Sequence, residues 1–167
     1  MSDDAVTEAL YESAIEDMRA EDPDLSAIVT KLRTCIAAGS PCAAYALATW
    51  YLHGKDDLIP QSYAEAIPLL TMAAEFHHTD ALFDLAVCYS NGEGVEKSPE
   101  RAFELYLQAA LHADADAVFK VGTSYFYGYG VAQDHRVAEI WLDRSRELGT
   151  YEGEPDEFHE PSHGDQS

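Results

Sequence analysis

Two pairs of histidines lie close enough in the sequence to raise the question of a metal site. His77 and His78 are adjacent, whereas His159 and His163 are four residues apart. Adjacent residues on a helix point about 100° apart, which is poor geometry for chelating one ion. The spacing of four would suit one face of a helix, but Pro161 lies between the two residues and disfavours a helix there. We therefore predict no metal site and no cofactor.

The cysteines and two glycine-rich segments are the other features that could carry chemistry. Cys35, Cys42 and Cys88 are odd in number and have no paired spacing, so we predict reduced, buried thiols in a cytoplasmic protein. The segments "NGEGV" and "YGYGV" contain glycines, as phosphate-binding loops do. Neither completes a phosphate-loop motif, and the chain contains no nucleophile elbow or zinc motif. The sequence thus predicts no catalytic residues and no enzymatic activity.

The glycine-rich segments belong instead to a repeat. Gly54, Gly92 and Gly128 follow one another at intervals of 38 and 36 residues. Before each glycine, a small residue, an apolar residue and a tyrosine recur every four residues, which is the apolar stripe of a helix that we call helix A. These residues are Ala43, Leu47 and Tyr51; Ala81, Leu85 and Tyr89; and Ala117, Val121 and Tyr125. A period of this length is typical of stacked helical units.

A second apolar stripe follows each glycine and predicts a second helix, helix B. Its residues are Ala66, Leu69 and Ala73; Ala102, Leu105 and Ala109; and Ala138, Trp141 and Ser145. Ser62, Ser98 and Asp134 precede these stripes at the N-cap position, and Ser62 with Glu65 has the pattern of a capping box. In the last two copies a second glycine, Gly94 or Gly130, allows the turn between the helices.

The repeated residues resemble the Sel-one-like repeats, relatives of the tetratricopeptide repeats. The segments "AVFKVGTSYFYGYGVAQDHRVAEIW" and "ALFDLAVCYSNGEGVEKSPERAFELY" are similar to the family pattern, and the copy from Ala43 to about His77 is degenerate. The resemblance covers roughly residues 43 to 149. It implies an all-α fold, a right-handed α-α superhelix or solenoid of antiparallel helix pairs, and a scaffold role without a defined partner.

The chain upstream of the repeats predicts two further helices, which gives about eight helices in total. They occupy residues 4–20 and 24–38, with Asp22-Pro23 as the cap between them and Gly39 as the end of the second. We expect this pair to be a diverged repeat that caps the stack. The predicted domains are a capping pair (1–39), three repeats in 40–149 (about 40–77, 78–112 and 113–149) and an acidic, flexible tail (150–167) that Phe158 could anchor.

The charge of the chain restricts its partners. The net charge is −21, and 15 of the 31 acidic residues lie in residues 1–24 and 151–167. Such a field repels nucleic acid and anionic membranes and attracts a basic protein, although the acidic ends could also serve only solubility. The N-terminus has no secretory pattern and no apolar run approaches 18 residues, which also favours the cytoplasm.

Residues of helix A outside the repeating stripe are the ones free to contact a protein partner. We predict that they form the binding surface, because aromatic residues dominate interface hot spots. The candidates are Tyr45, Trp50, His53, Asp84, Asn91, Glu93, Phe126, Tyr127 and Tyr129. Two functions fit this surface. One is an immunity or antitoxin-type inhibitor that neutralises a basic effector toxin; the other is a general protein–protein interaction adaptor in bacterial signalling or complex assembly.

Overall fold

The computed structural model describes residues 3–55 and 58–150. Eight α-helices make up most of this part of the chain, which confirms the all-α solenoid. They are α1 (Asp3–Met18), α2 (Leu25–Ala37), α3 (Pro41–His53), α4 (Tyr63–Glu75), α5 (Thr79–Asn91), α6 (Pro99–Leu111), α7 (Ala115–Tyr127) and α8 (His135–Glu147). Each helix packs chiefly against the helices that precede and follow it in sequence. The predicted A helices are α3, α5 and α7, and the B helices are α4, α6 and α8.

One backbone hydrogen bond recurs in all three helix pairs and fixes how helix B starts against helix A. The N–H of the helix-B N-cap residue donates to the carbonyl of the stripe tyrosine. The pairs are Ser62 and Tyr51 at 2.8 Å, Ser98 and Tyr89 at 2.9 Å, and Asp134 and Tyr125 at 2.9 Å. In the first pair the Ser62 Oγ accepts from the Glu65 N–H at 3.4 Å, but the Ser62 N–H bonds to Tyr51. The predicted capping box is therefore only half formed.

The core includes most residues of the two predicted stripes together with neighbouring residues such as Leu70 and Leu82, whereas the stripe residue Leu69 is only half-buried. The small residues of both stripes are fully buried in every repeat, including Ala81 on α5, Ala102 on α6 and Ser145 on α8, and the stripe tyrosines pack at the edge of this core. A second cluster joins the N-terminal pair to α3 through residues such as Leu32 and Leu47. Small residues let neighbouring helices approach closely, and the bulky side chains fill the remaining space.

The start of α2 differs from the sequence prediction. The N-cap is Asp24, whose side chain accepts from the Ala27 N–H at 3.0 Å, and the helix begins at Leu25. The prediction that Asp22-Pro23 supplies the cap and the first helical residue is wrong. Asp24 stands directly before the apolar stripe that begins at Leu25, and this is a stronger start signal than Asp22-Pro23 further upstream.

The second glycine of each loop lies where one repeat rests on the preceding one. A Cβ at Gly94 would be 2.5 Å from the Cβ of Tyr63, at the start of α4. A Cβ at Gly130 would overlap the carbonyl of Pro99, at the start of α6. Both glycines also have φ near +70°. The two glycines are therefore needed for close approach between repeats as well as for the turn.

The outer side of α8 differs in polarity from the equivalent side of α6. Phe103 and Ala110 of α6 are buried, and Phe103 packs edge-on against Tyr125 of α7 with ring centroids 5.3 Å apart. The positions 36 residues later are Glu139, which is exposed, and Arg146, which forms an ion pair with Asp143. The third repeat thus presents a polar face of the kind that terminal solenoid repeats use to stay soluble.

The turns after the B helices contain two residues other than glycine in the left-handed region. His77 has φ 58° and Ala113 has φ 67°, whereas the equivalent turns after α2 and α8 use Gly39 and Gly149. A residue with a Cβ in this region costs about 1–2 kcal/mol. These turns are therefore local sites of strain.

We expect Ala113→Gly to stabilise the protein by about 1 kcal/mol, because glycine adopts this conformation without the steric cost. Chemical denaturation monitored by circular dichroism measures the change. Ala38→Gly is the matched control: Ala38 ends α2 with φ −84°, so glycine there relieves no strain and should lower stability slightly. Equal effects of the two substitutions would contradict the strain argument.

Candidate functional site

The three A helices lie side by side, which brings their non-stripe residues onto one surface. The Tyr45 hydroxyl of α3 donates to Asp84 Oδ2 of α5 at 3.2 Å. The Tyr129 hydroxyl, in the loop after α7, donates to the Ser90 carbonyl of α5 at 3.0 Å. We call the surface formed by α3, α5, α7 and the loops that follow them the A-helix face.

Three of the predicted partner-binding residues occupy the first half of this face. Tyr45 is half-buried and its ring lies 4.5 Å from that of His78. Asp84 is half-buried beside it, and His53 at the end of α3 is exposed. Burial raises the pKa of Asp84, and the Tyr45 hydrogen bond and the nearby His53 oppose this rise. The structure therefore brings Tyr45, His53 and Asp84 together. Their binding role stays a prediction.

The predicted residues after α5 form a second group. The Asn91 side-chain amide donates to Glu93 Oε1 at 3.3 Å. Burial first, and then the carboxylate of Glu93, raise the pKa of the Tyr63 hydroxyl at the start of α4. Glu93 therefore lies over the junction between the first and second repeats.

The aromatic residues after α7 are largely engaged within the protein. The rings of Phe126 and Tyr127 lie 5.0 Å apart at 80°, and Phe126 also lies 4.9 Å from His135 of α8. All three predicted aromatics here, Tyr129 included, are half-buried. Tyr129 also has a structural role, since its hydroxyl joins the third repeat to Ser90 of the second. The sequence did not indicate this role.

Trp50 does not join the other candidates. It is half-buried and packs against the apolar cluster that includes Ile28, Leu32 and Leu47. It occupies the position that Cys88 and Ser124, both buried, take in the next two repeats. The interpretation that Trp50 takes no part in packing within the protein is therefore wrong. Contact between its exposed edge and a partner stays a prediction.

The A-helix face concentrates uncompensated negative charge. Burial raises the pKa of Asp84, and the nearby carboxylates Asp80 and Asp114 raise it further, against the hydrogen bond from Tyr45. Within residues 3–55 and 58–150, no Lys or Arg forms an ion pair with these aspartates. A carboxylate that is partly desolvated and has no Lys or Arg partner is costly to fold and is typical of functional surfaces.

We expect Asp84→Asn to raise the melting temperature at pH 7. The pKa of Asp84 is raised in the folded state, so its charge destabilises the fold above that pKa and the penalty disappears as the pH falls towards the unfolded value. The amide keeps an acceptor for Tyr45. Thermal unfolding at pH 7 and pH 3.5 measures the difference, which should shrink at the lower pH. A variant less stable than the wild type at pH 7 would contradict this cost.

The residues that suggested chemistry are dispersed in the structure. Cys35 and Cys88 are buried as predicted, but Cys42 is exposed, so the prediction of three buried thiols is wrong for Cys42. It lies in the first turn of α3, one residue before the buried stripe begins. Burial first, and then Glu93 and Asp84, raise the pKa of the Cys88 thiol to about 11, which disfavours the thiolate.

The histidines are likewise dispersed in the structure. His77 contacts the ring of His112, 5.2 Å away, rather than combining with His78. Across the described residues, no group of three or more His, Cys, Asp or Glu side chains is arranged to hold a metal ion. His159, His163, Phe158 and the predicted flexible tail, apart from Thr150, lie outside the described residues.

None of the helices in the described ranges is both long and apolar enough to traverse a lipid bilayer.

Sequence reasoning missed several residues that shape this surface. Gln61 donates to the Leu52 carbonyl at 2.7 Å and to the Tyr63 hydroxyl at 3.3 Å, which fixes the loop after α3 against α4. Asp80 and Ser90 were also not among the candidates. Comparing equivalent positions in successive repeats could have found Asp80, because Asp116 is its counterpart 36 residues later.

Comparison with known proteins supports the repeat assignment. The family model described as the Sel1 repeat matches residues 43–75, 79–114 and 115–150. These three matches cover more than half of the chain, and each contains most or all of one A helix and the whole of the following B helix.

Curated proteins with similar sequences are much longer than this chain. Chitin synthase regulatory factor 3 of Schizosaccharomyces pombe is 36% identical over 77 residues, which are 44% of this chain and 8% of that protein. A putative ERAD-associated E3 ubiquitin-protein ligase component of the same organism is 35% identical over 81 residues, 48% of this chain and 11% of that protein. The chain thus spans about a tenth of these relatives.

Solved structures with the same architecture include two bacterial proteins. A protective antigen of uropathogenic Escherichia coli with an SLR fold has a TM-score of 0.80 and 26% identity, covering 86% of this chain and 31% of the antigen. A Sel1 repeat protein from Oxalobacter formigenes has a TM-score of 0.65 and 32% identity, and the match covers 72% of this chain and 89% of that protein.

Proposed function

Because this chain belongs to the Sel1 repeat family, we propose that it is a protein-binding module of the adaptor type whose A-helix face takes a basic segment of a partner protein. The observation that carries this proposal is the unpaired negative charge of Asp80, Asp84 and Glu93 beside half-buried aromatic residues on that face. Aromatic surface supplies contact area, and unpaired carboxylates supply attraction for a cationic partner.

The relatives favour the adaptor over a dedicated inhibitor. One is named as a regulatory factor of chitin synthase and another as a component of a ubiquitin ligase. Such names describe proteins that work by association with other proteins. Carried to this chain, they support a role in assembling or regulating a complex rather than a chemical reaction.

Neutralisation of a basic toxin is the narrower form of the same hypothesis. Only the net charge of −21 favours it specifically. An inhibitor must bind its target at about nanomolar Kd or tighter, whereas an adaptor can work at about micromolar Kd, a difference of about 4 kcal/mol. The measured affinity for the partner therefore separates the two functions. The buried, free thiols of Cys35 and Cys88 support a reducing, cytoplasmic location for either.

The proposal is tested by capture followed by measurement of affinity. The immobilised protein is exposed to a lysate of its source organism, bound proteins are identified by mass spectrometry, and the purified partner is titrated by calorimetry at low and high salt. We expect a basic partner whose affinity falls as salt rises, because exposed charges are screened.

Two charge-reversed variants locate the binding surface. Asp80→Lys combined with Asp116→Lys places positive charge on the A helices at equivalent, exposed positions. We expect affinity to fall by about tenfold or more, because like charges across an interface are repulsive. Glu75→Lys, at the exposed end of α4, is the matched control on a B helix. Equal affinity in all variants, or a partner without a basic surface, would refute the proposal.

A further inference from the structure

A small cavity lies at the junction of the first and second repeats, between the last turn of α3 and α5. Its volume is about 140 Å³, and Leu52, Val87 and Cys88 form its apolar lining. Leu52 and Cys88 are buried. The polar lining includes two carboxylates, Asp84 from α5 and Glu93 from the following loop. We call this space the junction cavity.

The size of the junction cavity selects the kind of guest. Sites for metabolites and drug-sized ligands have volumes of about 300–1,000 Å³, and a cavity of about 150 Å³ accommodates a group the size of benzene. At about 140 Å³ the junction cavity fits a single side chain. A protein partner that docks on the A-helix face could supply such a side chain.

The chemistry of the lining selects a cation. Glu93 accepts from the Asn91 amide and Asp84 accepts from the Tyr45 hydroxyl, and both donors are neutral. The one basic side chain of the lining is His53, which forms no ion pair with either carboxylate in the described part of the chain. Neither carboxylate pairs with a Lys or Arg anywhere in the described part of the chain. Both carboxylates line the same space as the Cys88 thiol.

The next junction shows that the repeat itself does not require these charges. The positions 36 residues after Asp84 and Glu93 are Lys120 and Tyr129. At that junction, the Tyr129 hydroxyl reaches back to the Ser90 carbonyl and joins the two repeats directly. The second junction therefore folds with Lys120 and Tyr129 at these two positions. Of the two junctions, only the first has two carboxylates there.

We propose that the junction cavity binds one arginine side chain of the partner protein, with its aliphatic stem along Leu52 and Val87 and its guanidinium between Asp84 and Glu93. This inference rests on the proposed function and adds a specificity to it. Arginine suits two carboxylates better than lysine does, because its planar group carries five donors and is weakly hydrated. The hydrogen bonds from the neutral side chains of Tyr45 and Asn91 hold the two carboxylates in place for the guest.

Titration with small probes tests the cavity without the partner. Nα-acetyl-arginine amide is added to the ¹⁵N-labelled protein, and amide chemical shifts are followed by NMR. The same titrations use Nα-acetyl-lysine amide and Nα-acetyl-citrulline amide, the latter a neutral analogue with nearly the shape of arginine. We expect saturable shifts near Val87 and Glu93 with a Kd of about 1–10 mM for arginine, at least threefold weaker binding of lysine and no saturation with citrulline.

Variants assign the binding to the two carboxylates. Asp84→Asn and Glu93→Gln should each weaken binding of the arginine probe at least fivefold. Glu96→Gln is the matched control, because Glu96 is an exposed carboxylate in the same loop but does not line the cavity. Spectra of the unliganded variants that overlay with the wild type establish that each remains folded.

The outcomes separate this inference from the proposed function. Absence of saturable shifts, equal binding of citrulline or lysine, or unchanged affinity in both carboxylate variants would each overturn the arginine site. Partner binding that is lost in the Asp80→Lys, Asp116→Lys variant, together with absent probe binding, would overturn the junction cavity alone. Partner binding unaffected by charge reversal would overturn the proposed function even if the probe binds.

Discussion

Gly130→Ala is expected to lower the free energy of unfolding by about 2–5 kcal/mol. The backbone at residue 130 has φ +71°, which costs a residue with a Cβ about 1–2 kcal/mol. The added Cβ would also overlap the Pro99 carbonyl and lie 2.9 Å from the Glu100 nitrogen, and backbone atoms at the start of α6 cannot rotate away as a side chain can. Overpacking of this kind adds about 1–3 kcal/mol.

Urea denaturation of the two proteins measures this loss, and Gly149→Ala is the matched control. Gly149 has φ +75°, yet a Cβ there would meet nothing within 4 Å. We expect the control to lose only about 1–2 kcal/mol, the cost of the backbone conformation alone. If the two substitutions had equal effects, contact between the loop and α6 would not limit the stability of the third repeat.

The helix pairs of the repeats could be predicted from the sequence because the signals that define them are local. A stripe of small and bulky residues, an N-cap side chain and a glycine are local signals, and each acts within one helix pair. The spacing therefore indicated the correct roles for the buried residues Ala81, Val121 and Ala102 and for the N-cap residue Ser98. What a single repeat cannot show is the reason for the second glycine, which depends on its neighbour.

Contacts between repeats were the part that the sequence left undetermined. One hydrogen bond joins Tyr45 to Asp84, and another joins Ser90 to Tyr129. In each pair the two residues are 39 positions apart in the sequence. The interval exceeds the 36- or 38-residue period because each bond connects non-equivalent positions. The polar and apolar lining of the junction cavity likewise comes from both repeats. Such pairs emerge only when the stacking offset between repeats is known.

The loop of the first repeat illustrates the same limit. It lacks the second glycine, and the residue after Gly54 is Lys55. Lys55 and Ile59 exchange two backbone hydrogen bonds, at 2.7 and 3.1 Å, and Ile59 enters the N-terminal apolar cluster. The sequence shows that the second glycine is missing here, but it does not show that this loop contributes to the core, because an isolated isoleucine carries no periodic signal.

Trp50→Ala is expected to lower the free energy of unfolding by about 3 kcal/mol. Trp50 packs against the cluster formed by α1, α2, α3 and Ile59, and removal of a large aromatic side chain from such a cluster typically costs about 3–5 kcal/mol. We place the loss at the lower end because the side chain is only half-buried. Trp50→Phe keeps most of the apolar contact and should cost about 1 kcal/mol.

Hydrogen exchange shows where the stability is lost. Solenoid repeats contact mainly their neighbours, so weakening the contact between α3 and the N-terminal pair should release α1 and α2 before the rest unfolds. We expect amides of α1 and α2 to lose protection in Trp50→Ala, while those of α7 and α8 keep it. Uniform loss of protection, or none, would contradict this local role. Only when α1 and α2 stay protected can weaker partner binding by a Trp50 variant be attributed to the interface, so Tyr127→Ala is the cleaner probe of the A-helix face.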